Sequence, residues 1–183
     1  MIHLRSDRSS SRALSFDATI TIGANDFLAA VPNVDVNVIA SIASRTAEIV
    51  NRLLNGFIYP DATSPGKTQQ CPGLPNVTVL VANNYAVPHP NPAIAQALDN
   101  FAAGYDQLLR LALSTLRVPG GSRIAVVDLY SAFKGVKGLL LIRNGGTSTG
   151  PGLFDIEAHP NNIGHLVIAR QFQNAWEALN EVP

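Results

Sequence analysis

Three short runs of apolar and β-branched residues, ATITI (18–22), NVTVLVANN (76–84) and SRIAVVDLY (122–130), alternate along this chain with three long stretches of helical periodicity. That alternation constrains the fold more than any other feature. From Val38 to Leu54 the apolar residues Ile39, Ile42, Ile49, Val50, Leu53 and Leu54 recur at three- and four-residue spacing, with Arg45, Glu48 and Arg52 between them, which predicts an amphipathic helix. A second helix is expected from Pro92 to about Leu116, with an inner stripe of Ile94, Leu98, Phe101, Tyr105, Leu108, Leu109 and Ala112. A third starts near Gly164 and sets Ile168, Phe172, Ala175, Trp176 and Leu179 on one face. Strand, helix, strand, helix, strand, helix is the pattern of an α/β protein with a parallel sheet, its right-handed crossovers laying helices over the faces. The stretch YPDATSPGKTQQCPGLP (59–75) reads as a loop, being rich in Pro, Gly and polar residues.

The 183 residues suit one domain with a real core, and neither an internal repeat nor a linker divides them. Residues 1–16 read as a solvated tail and 17–183 as the domain. The 13 basic and 13 acidic residues cancel, so no nucleic-acid surface is expected. Cys71 is the single cysteine, which excludes an internal disulfide and a thiolate metal cage. MIHLRSDRSSSRALSFD lacks the continuous apolar core of a secretory signal, and no segment approaches membrane-spanning length, so the chain as written is expected to be neither exported by itself nor anchored.

Ligand sites in open parallel sheets lie outside the carboxyl ends of the strands. GAND (23–26) follows directly on the first strand and puts Asn25 at that rim. DIEAHPNNIGH (155–165) follows the last strand and holds His159 in a turn with acidic residues just ahead of it. Far apart in sequence, the two are expected to border one crevice.

With GAND placed after a TITI strand and HPNNIGH (159–165) running into an apolar helix, the chain resembles the SGNH, or GDSL-type, esterases and lipases. The first motif is similar to their G-x-N-D block and the second to their histidine block, and order, spacing and context agree from about Phe16 to Leu179. The resemblance implies a flavodoxin-like three-layer α/β/α fold and hydrolysis of a small-molecule ester through an acyl-enzyme, without cofactor or metal. It further implies that Asn25 aims its amide at the oxyanion while Gly23 permits the tight turn. His159 becomes the general base for a serine hydroxyl, oriented by a carboxylate. In the family's D-x-x-H arrangement the acid stands three residues before the histidine, a position held here by Ile156; Asp155 and Glu157 flank it, and Asp155 is preferred with Glu157 in competition. Pro160 and Gly164 read as structural.

The family's nucleophile, a serine in a G-D-S motif after the first strand, has no counterpart among Ser6, Ser9, Ser10, Ser11 and Ser15. GTSTG (146–150) matches a G-x-S-x-G elbow around Ser148, but Pro151 and Gly152 oppose the helix that such an elbow requires, so it reads as a loop. The expectation is therefore the C-terminal part of an SGNH-type hydrolase lacking its first two strands and inactive by itself. Its opened sheet edge should uncover apolar surface and promote self-association. Intact relatives of the family are often secreted. The alternative is a non-catalytic binding protein for a small molecule or carbohydrate that retains the crevice. Of the remaining candidates, His159 and His165 have the wrong spacing for a metal pair, His89 in VPHPNP reads as an exposed loop residue, Asp26 braces its loop, and the NVT sequon (76–78) coincides with a strand start.

Overall fold

A computed structural model of the chain describes residues 2–6, 16–22, 35–89, 91–136, 141–143 and 156–180, with 2–6, 141–143 and 156–158 described as backbone. In chain order the elements are β1 (Ile2–Ser6), β2 (Phe16–Thr21), α1 (Val36–Asn55), β3 (Phe57–Pro60), β4 (Thr68–Cys71), β5 (Val77–Ala82), α2 (Pro92–Ser114), β6 (Arg123–Val127), α3 (Leu129–Phe133), β7 (Leu141–Arg143), β8 (Ile156–Pro160) and α4 (Asn162–Asn180). The main sheet has the order β1-β2-β5-β6. Its pairs β2–β5 and β5–β6 are parallel, with Phe16 beside Val77 and Ala82 beside Val127, so the chain is an α/β protein built on a parallel sheet.

The central strand explains why helices lie on both sides. Val77, Val79 and Val81 are wholly buried and join Ala18 and Ile20 under α1 and α2, where Ile39, Ile42, Val50, Leu98, Phe101, Tyr105 and Leu109 complete the core. Leu80 and Ala82 point the other way, into a second cluster closed by Ile168, Phe172, Ala175 and Leu179 of α4. Each fully buried Val or Leu contributes about 1.5–3 kcal/mol relative to exposure. The expected stripes of α1 and α2 are thus the buried ones. On α4, however, Trp176 departs from the expected inner face and is 42% exposed.

Caps define the helix starts. Asp35 accepts from the Asn37 amide at 2.9 Å, and Asn91 accepts from the Ala93 amide at 2.9 Å with Pro92 in the first turn. Thr46, buried in the middle of α1, bonds back to the Ile42 carbonyl at 2.9 Å and meets the buried Tyr105 hydroxyl at 3.3 Å, so this polar contact across the α1–α2 seam is satisfied.

Four features differ from the sequence-based expectation. Residues 2–6, taken as part of a tail, form β1 and pair antiparallel with β2, so the edge expected to lie open is covered. The loop 59–75 contains most of an antiparallel hairpin, β3–β4, with Phe57 opposite Cys71 and Pro60 opposite Thr68. The histidine expected in a turn lies in β8, which pairs antiparallel with β7 in a separate small sheet. Finally, the face of β2 turned away from α1 does not expose an apolar surface, because its residues are Asp17, Thr19 and Thr21.

The hairpin is clamped at its base by backbone crossings too close for side chains. A Cβ on Gly56 would lie 2.2 Å from the Cys71 carbonyl oxygen at a φ of +75°, and one on Gly73 would lie 2.2 Å from the Leu54 carbonyl oxygen. Gly56→Ala should therefore cost on the order of 2–3 kcal/mol in urea unfolding, strain adding to the clash. Gly120→Ala, with nothing within 4 Å of the new methyl, should stay within about 0.5 kcal/mol of the parent.

Candidate functional site

The carboxyl ends of β2, β5 and β6 lie along one rim, and a single buried amide ties the segments after β5 and β6 together. Asn83 follows β5 and is completely buried. Its Nδ2 donates to Asp106 of α2 at 2.7 Å and to Asp128, just past β6, at 3.0 Å. Its Oδ1 accepts from the backbone amides of Leu129 at 2.6 Å and Tyr130 at 2.9 Å. Both donor hydrogens and both lone pairs of the side chain are used, which makes Asn83 a pin between sheet, α2 and α3. Asp106 is also held by Arg110 Nε at 2.9 Å, and Asp128 caps α3 by accepting from the Ser131 amide at 3.0 Å. Next to the pin, Asn84 Nδ2 reaches the carbonyl of Ile22 at 3.4 Å, joining this loop to the end of β2.

The charges are tuned accordingly. Burial acts to raise the Asp128 carboxyl, but hydrogen bonds from the Ser131 amide, Asn83 and the Ser131 hydroxyl, together with the Arg110 charge, outweigh it and hold the group below its ordinary 3.8. Tyr85 stacks on Phe133 with ring centroids 4.3 Å apart, and burial pushes its phenol up to about 12. Phe133 in turn packs against Val167 and Ile168 of α4.

The direction of α4 locates His159. At the amino end of β6, Arg123 holds the far end of this helix through the Leu179 carbonyl and through Asn180 Oδ1 at 3.2 Å. The helix therefore runs antiparallel to β6, and its 19 residues, about 28 Å at 1.5 Å per residue, bring its first turn back to the carboxyl ends of the parallel strands. Asn161 stabilises that turn, accepting from the Gly164 amide at 2.9 Å on its side chain and from the His165 amide at 2.9 Å on its carbonyl. His159 is exposed, two residues ahead of Asn161 and one ahead of Pro160.

Among the expected site residues, His159 thus precedes the turn of α4 that returns toward the carboxyl ends of the parallel strands. Gly23, Asn25, Asp26, Ser148 and Asp155 lie outside the described residues. Glu157 is an alternate position of β8 relative to His159. His89 is half-buried, not the exposed loop residue expected, and its Nδ1 accepts from the Asn91 amide at 3.0 Å. Asn76 of the sequon has a left-handed φ of 50° just before β5, and its Oδ1 lies 2.1 Å from where a Cβ on Gly121 would stand. Among the described residues no cluster of three or more His, Cys, Asp and Glu could hold a metal ion, and no helix is long and apolar enough to cross a membrane. Asn83 and Asp128 were not foreseen as rim residues. Their signal was present, since each is the first polar residue after an apolar parallel strand, but both were absorbed into the strand runs.

No family model matches the chain, and neither a curated protein nor a solved structure matches it.

Two substitutions test the rim. Asn83→Ala leaves the Leu129 and Tyr130 amides without their acceptor and should cost about 2–4 kcal/mol in chemical denaturation. Asn83→Asp adds a third carboxylate between two others, so its stability should rise as pH is lowered from 7 toward 5. The parent should instead lose the Asp128 contribution as pH falls below 3.8, because a depressed carboxyl stabilises only while it is ionised. For Tyr85 the sign is opposite: its folded value is raised, so the stability carried by the neutral phenol is complete below pH 10 and is lost as pH climbs toward about 12. Thermal midpoints of Tyr85→Phe should accordingly fall less steeply than those of the parent across that alkaline window.

Proposed function

We propose that this chain carries the general-base and oxyanion half of a serine ester hydrolase of SGNH type. The observation that supports the reading is the antiparallel course of α4, held by Arg123 at one end, which returns the turn after His159 toward the carboxyl ends of the parallel strands. The GAND motif begins one residue past Ile22, and the reading holds that the amide of Asn25 and the imidazole of His159 border one crevice.

In this mechanism His159 takes the proton of a serine hydroxyl as that oxygen attacks the ester carbonyl, then returns it to the departing alcohol. Asn25 donates to the oxyanion of the tetrahedral intermediate. A carboxylate, Asp155 or Glu157, holds the imidazole tautomer. The reading places the serine ahead of the Gly23–Asp26 block, in sequence upstream of Met1, and it calls for no cofactor. The substrate is a small-molecule ester whose acyl group is left open.

The test is to express the reading frame extended upstream of Met1 and to follow hydrolysis of p-nitrophenyl acetate and butyrate together with labelling by a fluorophosphonate. An upstream strand ending in Gly-Asp-Ser, labelling at that serine, and a fall in kcat of about 10⁴-fold for His159→Ala are expected. Asn25→Ala should cost about 10²–10³-fold. Between Asp155→Ala and Glu157→Ala, the orienting acid is whichever gives the larger loss. An extended frame without such a motif, or turnover indifferent to His159, overturns the proposal.

A further inference from the structure

We propose that Asn55–Gly56 is a deamidation site that the folded end of α1 holds in check, and that its conversion to a carboxylate unfastens α1 from the segment before β6. An asparagine followed by glycine is the pairing most open to this reaction, because no side chain on the second residue hinders its backbone nitrogen as it attacks the asparagine Cγ. In that step a bond forms between the Gly56 nitrogen and Cγ of Asn55, the side-chain nitrogen departs as ammonia, and a succinimide ring results. Water, the one co-reactant, then opens the ring at either carbonyl and leaves aspartate or isoaspartate at position 55.

The fold requires both members of the pair. Gly56 has a φ of +75°, and a Cβ there would stand 2.2 Å from the Cys71 carbonyl oxygen, so glycine is the residue that fits the crossing. Asn55 is exposed, and its Nδ2 donates to the Arg117 carbonyl at 3.0 Å and to Asn51 Oδ1 at 2.9 Å, tying the last turn of α1 to the chain ahead of β6. The labile dipeptide is therefore built into the junction.

The same contacts restrain the reaction. The attacking nitrogen of Gly56 donates its hydrogen to the Arg52 carbonyl at 2.9 Å, and the departing nitrogen is held by two acceptors. Asn55 is also the last residue of α1, where a helical ψ near about −42° keeps the Gly56 nitrogen away from Cγ. Ring closure thus awaits local opening of the helix end. Once formed, the product does not restore the junction. A carboxylate has no hydrogen for the Arg117 carbonyl, and it sets negative charge at the negative end of the helix, where Arg52, the basic residue of the last turn, is already paired with Glu48. Isoaspartate in addition lengthens the backbone by a carbon just before the crossing of Gly56 and Cys71. This site is independent of the ester-hydrolase reading.

The full chain tests it. After incubation at mildly alkaline pH, peptide mapping with isoaspartate methyltransferase labelling reads the conversion and separates position 55 from the second Asn-Gly pair at 144–145. Conversion at Asn55 should be slower by about tenfold or more in buffer than in denaturing urea. Equal rates in the folded and unfolded chain overturn the proposal, as does an Asn55 that stays intact in urea. For the consequence, Asn55→Asp should melt about 1–4 °C below Asn55→Ala, which loses the tie without adding charge, and equal midpoints refute that half. If neither variant folds, the parent decides after partial conversion in urea and refolding: its protease-resistant fraction should be depleted in converted Asn55, and equal proportions inside and outside that fraction overturn the claim.

Discussion

The described residues are arranged around β5, a strand whose apolar side chains are buried on both faces. Val77, Val79 and Val81 face one side of β5 and Leu80 and Ala82 the other, all buried. A two-sided strand needs a cover on each side, and the chain provides it with α1 and α2 packed together on one face and α4 crossing the other. Because the crossovers are helical and the neighbours parallel, the carboxyl ends of β2, β5 and β6 collect at one rim. The polar groups leaving the apolar strands must then find partners at that rim, and Asn83 meets the demand with four hydrogen bonds to two carboxylates and two amides. The requirement for a dry core and the geometry of the rim are one constraint seen at two places.

Much of this was legible because it is local and periodic. The stripes of α1 and α2 follow helical spacing, and the strands within 18–22, 76–84 and 122–130 are short apolar runs between punctuating glycines and prolines. What escaped is stabilised from a distance. IHLRS alternates apolar and polar residues, but it stands beside DRSSSR, and only the presence of β2 makes a strand of it. The β3–β4 hairpin has four-residue strands exposed along most of their length, so burial imposes no pattern on FIYP and TQQC, and the intervening Pro65 and Gly66 mark a loop. His159 looked like a turn residue because Pro160 follows it, yet Pro160 ends a strand whose partner, β7, begins 19 positions earlier at Leu141. Trp176 went astray for another reason: hydrophobicity alone assigned it inward, while the helix offers β5 and β6 the stripe of Ile168, Phe172, Ala175 and Leu179.

At the candidate site the sequence supplied residue types and the fold supplied the direction of α4. A histidine before a helix is a weak signal until the helix is known to run back toward the rim, and that depends on Arg123 gripping its last turn, a contact between residues more than fifty positions apart.

The hairpin from Phe57 to Cys71 adds a practical consequence. It springs from the end of α1 and returns just before β5, which puts it at the amino ends of the parallel strands, across the sheet from His159. Its root is bolted by the Gly56 and Gly73 crossings, while its tip at Thr63–Gly66 bonds only to itself through Asp61 and Lys67. An affinity tag, fluorophore or surface linker grafted at that tip would hang from a rigid stalk and leave the opposite mouth of the molecule facing the solution.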